Sequence, residues 1–131
     1  EIRPEAIVEG AFTYESGVKA AKTLLSLKQR PTAIFAANDE MAFAVIHVAN
    51  DMGLSVPQDL SVVGFDGTPF SNFFIPSLST IIRRTDEMSV LGTKKLLALI
   101  EDGQDAAQRF ETMISPQFVP RGSTGPVPED K

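Results

Sequence analysis

Two short stretches place carboxylates where a strand gives way to something else: AIFAANDEMA at residues 33–42, with Asn38, Asp39 and Glu40, and SVVGFD at 61–66, ending in Asp66. In open α/β sheets, ligands bind outside the carboxyl ends of the strands. A carboxylate there accepts strong hydrogen bonds from ligand hydroxyls or ring N–H groups. The same residues also have a local use. Asn38 is a favoured helix N-cap, Asp39 and Glu40 complement the helix dipole, and Asp66-Gly67 is a strong turn signal. Residue types alone leave both uses open for Asp39 and Asp66.

An acid/base pair or a metal site built on Asp39 and Asp66 would need a nucleophile or further ligands. The chain has no His-x-x-x-His, Gly-x-Ser-x-Gly, phosphate-binding loop or Gly-x-Gly-x-x-Gly to supply them. The lone histidine, His47, falls inside a helical pattern on its Phe43 side and reads as a packing or interface residue. Phe70, Phe73 and Phe74 crowd one irregular loop, and Phe12 and Tyr14 precede the first helix. Aromatic faces beside a few carboxylates and amides suit sugar and nucleoside pockets.

The elements that must position these groups follow from the periodicity. Residues 13–28 read as a helix with Thr13 as N-cap and Val18, Ala21, Leu24 and Leu25 on one face, stopped at Arg30-Pro31. TAIFAA is a continuous apolar run, as in a parallel strand covered on both faces. A helix from Asn38 carries Met41, Val45, Val48 and Met52 on one stripe and closes at Gly53. LSVVGF is a second strand, so strand, helix and strand form a βαβ unit with parallel strands. Residues 66–77 read as a loop with a helical turn, 79–83 as a short strand and 86–101 as a helix capped by Asp86. DGQDAAQ reads as a polar loop and FETMISPQFV as a pair of edge strands, with Pro116 tolerated only at an edge. The proline-rich, acidic end, PRGSTGPVPEDK, reads as a disordered tail.

Bulk composition narrows the classes. The 131 residues are 43% hydrophobic and 22% charged, enough for one globular domain with a buried core. No apolar run approaches a membrane span, and EIRPEAIVEG has neither the basic start nor the apolar middle of a signal peptide; it reads as a point inside a longer chain. The absence of cysteine excludes disulfides and thiolate metal sites. A net charge of −5 with scattered basic residues argues against this segment docking on nucleic acid.

A series of motifs gives a sharper reading. These are Pro31-Thr32-Ala33, Asn38-Asp39-x-Met41-Ala42, Gly53-Leu54-x-Val56-Pro57-x-Asp59, Ser61-Val62-Val63-Gly64-Phe65-Asp66 and Pro76-x-Leu78-x-Thr80-Ile81. With Phe12-Thr13-Tyr14-Glu15-Ser16-Gly17 upstream and Val119-Pro120-Arg121-Gly122-Ser123-Thr124 downstream, their order and spacing resemble the effector-binding domain of the LacI/GalR family of bacterial transcription regulators. The resemblance implies a periplasmic-binding-protein-like α/β fold, a parallel sheet flanked by helices, of which this chain holds mostly the C-terminal subdomain. It implies residues 1–55 and 85–124 in that subdomain, 56–84 crossing into the N-terminal one, and 125–131 as tail. Asp39 is then the pocket carboxylate for a sugar or nucleoside-type effector, with Asn38 and Phe12 as further contacts. Ala11 stands after Gly10 where some relatives carry a polar pocket residue.

The resemblance further implies a cytoplasmic homodimer using Phe43, Ile46 and His47, and DNA binding only through a headpiece outside this chain. No catalysis, cofactor or metal is expected. Two alternatives stand beside it: a periplasmic sugar-binding protein serving a transporter, and an α/β enzyme or phosphoacceptor domain using Asp39 and Asp66.

Overall fold

Thr13 and Ser16 start the first helix by satisfying each other's backbone: Ser16 N–H donates to Thr13 Oγ1 at 3.2 Å and Thr13 N–H to Ser16 Oγ at 3.3 Å. The computed structural model describes residues 3–102 and 112–127. From that cap, α1 (Tyr14–Leu25) buries Ala20, Ala21, Leu24 and Leu25 along one face. Strand β1 (Ala33–Phe35) follows, then α2 (Asp39–Asp51) capped by Asn38, with Gly53 at φ +75° just beyond its end. Strands β2 (Ser61–Asp66) and β3 (Ser79–Ile82) flank a loop holding a single 3-10 turn, Pro69–Asn72. Helix α3 (Thr85–Asp102) and strand β4 (Gln117–Val119) complete the order.

The sheet runs β1-β2-β3-β4. β1 and β2 are parallel with Ile34 opposite Val62, and β2 and β3 are parallel with Gly64 opposite Thr80. Strand β1, helix α2 and strand β2 therefore form the expected βαβ crossover. Ile34, Val62 and Leu78 pack with Leu24, Leu25, Met41, Val45, Ile46 and Val48 in one apolar core. Helices approach closely because Gly17 leaves no side chain between α1 and the Met41 and Ala44 side of α2.

Several expectations need correction. Phe35 is 62% exposed, so β1 is covered on one face only. Alternate residues of a strand point to opposite faces, and Phe35 meets Phe65 edge-on across the face away from Ile34, at 6.5 Å between ring centroids. β2 and β3, within residues 56–84, hydrogen-bond into the sheet that β1 begins. The chain divides into two compact units, one formed by the described residues up to Ile82 together with those from Phe118, the other within Arg83–Gln117. In the second unit α3 starts at Thr85, which places Asp86 in its first turn instead of at the cap.

Among the described residues of the expected edge-strand pair only Gln117–Val119 is a strand; residues 103–108 of the expected polar loop and 110–111 of the expected pair fall outside the described residues. The start of the expected tail is built into the fold. Ser123 is fully buried, donates its hydroxyl to Val62 O at 2.6 Å, and accepts the Ser79 N–H at 2.8 Å. Its own carbonyl accepts the Val62 N–H at 2.8 Å, so this segment continues the backbone ladder between β2 and β3. Even Gly125 donates its N–H to Ser61 Oγ at 3.1 Å. No helix among the described residues is long and apolar enough to cross a membrane.

Gly64 sits where β2 passes under α2, and a Cβ built there would collide with Asp39 Oδ1 and crowd Leu78. Gly64→Ala is expected to lower stability by about 2 kcal/mol through this overpacking. A urea unfolding midpoint that does not move would contradict it.

Candidate functional site

The start of α2 is where the chain's loops are fastened. Asn38 Oδ1 accepts the Met41 N–H at 2.8 Å, the N-cap bond, while its Nδ2 donates to Phe12 O at 3.0 Å. Glu40 Oε1 accepts the Tyr14 N–H at 3.0 Å, which holds the beginning of α1. Between them Asp39 is completely buried. Its Oδ2 accepts both the Thr68 N–H at 2.6 Å and the Thr68 hydroxyl at 2.8 Å, and its Oδ1 accepts the Thr80 hydroxyl at 2.5 Å. Helix, post-β2 loop and β3 thus meet on one carboxylate. The helix dipole and these donors replace the water that a buried charge gives up.

Both oxygens of Asp39 are engaged by the protein's own hydroxyls and amide, away from solvent, so the residue fastens the loop of Thr68. The strand-end carboxylate nearer the surface is Asp66, half-buried at the end of β2. Asp66 has φ +111°, and Phe12 φ +58°, the two non-glycine residues at positive φ among those described. Bulky or branched residues avoid that region, and where it persists at a strand end it marks a candidate site. Phe12 is 64% exposed, its backbone held by Asn38. Asn38 and Phe12 are therefore brought together, and Thr68 ties Asp66's turn to the same helix end.

The residues expected at an interface separate. Ile46 is fully buried in the core and packs between the elements of the first unit. Phe43 stacks on Phe74 at 4.4 Å between ring centroids and 23° between planes. A hollow of about 370 Å³ beside them is lined by Glu40, Phe43, Thr68, Phe70 and Phe74. Phe70 and Phe73 stand well out into solvent on the same loop. His47 is exposed, bonded through Nδ1 to the Tyr14 hydroxyl and paired through Nε2 with Asp51 at 3.2 Å. Among the described residues no group of three His, Cys, Asp or Glu side chains is placed to hold a metal.

Sequence reasoning missed Thr68, Thr80, Ser123 and Arg121. Arg121 donates through Nη1 to Ser71 Oγ at 3.0 Å and to Leu78 O at 2.7 Å, bracing the 3-10 turn against the start of β3. Asp39→Ala is expected to destabilise the protein by about 3 kcal/mol, since it strands the buried Thr80 hydroxyl and the half-buried hydroxyl and amide of Thr68. Chemical denaturation measures this, and a loss under about 1 kcal/mol would contradict it.

Comparison with known proteins places this geometry. Residues 2–124 match the model of the periplasmic binding protein-like domain. The chain is 40% identical over 122 residues to the probable HTH-type transcriptional repressor ExuR of Bacillus subtilis, covering 93% of this chain and 36% of that protein. It thus spans about a third of the length of this curated relative. A LacI family transcriptional regulator from Bifidobacterium animalis superposes with a TM-score of 0.83 at 32% identity, over 92% of this chain and 43% of that one. The transcriptional regulator CelR in complex with cellobiose superposes with a TM-score of 0.79 at 26% identity, over 94% and 37% respectively. The chain belongs to the family of periplasmic binding protein-like domains, in the form shared by LacI-family transcriptional regulators.

Proposed function

We propose that this chain is the effector-sensing part of a LacI-type transcriptional regulator, without catalysis of its own. It binds a small polar metabolite of the sugar or nucleoside class and controls a DNA-binding segment of the kind its repressor relatives are named for. A cytoplasmic protein fits that role. The observation that carries the ligand reading is Asp66. It is a half-buried carboxylate in a left-handed backbone geometry at the carboxyl end of a parallel strand. Asn38 and Phe12 lie on loops tied to the same helix end, so a ligand there meets a carboxylate, an amide and an aromatic ring. The cellobiose complex of a structural neighbour supports a sugar. The transporter-protein alternative has no comparable support, because the relatives are repressors and regulators.

Dimer formation belongs to the same reading. Phe43 and His47 remain its expected contacts, while Ile46 is withdrawn into the core. Phe70 and Phe73, exposed on the loop beside Phe43, extend that apolar surface, and patches of this kind mark interaction sites. The unit within Arg83–Gln117 is the segment we assign to the other subdomain of the sensing domain.

Thermal melts against cellobiose, a panel of monosaccharides and sugar phosphates, and nucleosides test the ligand reading. A ligand at about 100 times its Kd adds roughly 2.7 kcal/mol of stability. One chemical class is expected to raise Tm, and Asp66→Asn to remove the rise while leaving the unliganded melt within a few degrees. Full retention of the shift in Asp66→Asn would contradict the assignment.

A further inference from the structure

We propose that Asp39 is a positioning residue that acts through Thr68 to hold Asp66 in its left-handed backbone geometry. The inference rests on the reading of Asp66 as the ligand-facing carboxylate, and it says what keeps that carboxylate in place.

Asp66 at φ +111° is followed by Gly67 at φ +74°. A residue with a side chain stays in such a conformation only where its surroundings over-determine it. On the strand side the determinants are visible. Asp66 pairs with Ile82 in the β2–β3 register, and Gly67 lies so close to Ile82 that no Cβ would fit. On the loop side the next residue, Thr68, gives both of its donors, N–H and hydroxyl, to the same oxygen of Asp39. The turn Asp66-Gly67-Thr68 is therefore gripped at both ends.

The second grip is unusually firm. Asp39 is fully buried, its other oxygen is fixed by Thr80, and that oxygen lies so close to Gly64 that a Cβ there would collide with it. Beyond Thr68 the chain is fastened again, because Thr68 O accepts the Ser71 N–H at 3.0 Å and the Ser71 hydroxyl at 2.6 Å. Arg121 in turn donates to Ser71. Release of Thr68 from Asp39 would let residues 66–68 rotate together and relax Asp66 toward ordinary φ values. A carboxylate serving only general stability would act independently of the backbone at residue 66.

A double-mutant cycle on the intact chain tests this without any ligand. Glycine adopts φ near that of Asp66 freely, so Asp66→Gly relieves strain, and relieves it only while the grip on Thr68 persists. The effect of Asp66→Gly on the unfolding constant is expected to be more favourable by about fivefold or more with Asp39 present than in an Asp39→Ala background. Asp39→Asn, whose amide oxygen can still accept from Thr68, is expected to restore part of that coupling. Thr68→Val, which deletes one of the two bonds, is expected to show coupling of the same sign and serves if Asp39→Ala does not fold. Effects that add within about twofold in the Asp39→Ala and Thr68→Val backgrounds, or in Thr68→Val alone if Asp39→Ala does not fold, would overturn the proposal. Because the cycle contains no ligand, its failure is distinct from failure of the ligand reading, which the loss or retention of a ligand-induced shift in Asp66→Asn decides.

Discussion

The buried carboxylate of Asp39 is the constraint on which the site depends. Three consecutive residues at the start of α2 each take hold of a different segment: Asn38 the loop of Phe12, Asp39 the loop of Thr68 and the strand of Thr80, Glu40 the start of α1. A helix N-terminus presents unsatisfied N–H groups and a positive dipole end. Acids and amides gathered there lower that local cost and still have acceptor capacity left for other parts of the chain. The apolar strand that precedes them fixes the helix end against the sheet, so whatever they hold is positioned relative to β1, β2 and β3.

Around this point the fold is economical in how it places a candidate ligand site. The loops leaving the parallel strands β1 and β2 carry Asn38 and Asp66, and Asn38 holds the segment of Phe12 that leads into α1. Gly64 is the counterpart of Asp39 on the sheet side, since only a glycine lets β2 pass beneath the carboxylate. Ser123 and Arg121, far along the chain, bridge β2, β3 and the 3-10 turn near the starts of those strands. A segment rich in glycine, serine and proline serves as structure here because its backbone and hydroxyls complete a ladder that would otherwise end unpaired.

Much of the frame was legible in the sequence. Helical periodicity and caps located α1 and α2, and the apolar runs located β1, β2 and the parallel crossover, because local pattern and tertiary burial agree there. The motif series gave the family, which the match over residues 2–124 shows. The roles of the acids were less legible. An aspartate that caps, a buried one that fastens a loop and one that faces a ligand look alike in sequence. Only Thr68 and Thr80, distant in the chain, reveal that Asp39 is enclosed. Strand pairing, which keeps β2 and β3 in one sheet with β1, is also a non-local fact. The opposite sheet face, with Phe35 open to solvent, likewise carries no local signal that distinguishes it from a covered one.

The claim that Asp39 fastens the site loop is tested most directly by amide hydrogen exchange at Thr68, whose N–H donates to the buried carboxylate. This amide is expected to exchange as slowly as that of Val62 in the sheet core, despite lying in a loop, and Asp39→Asn to speed it selectively. Exchange at Thr68 as fast as an open loop amide in the unaltered protein would mean that the carboxylate does not hold the turn.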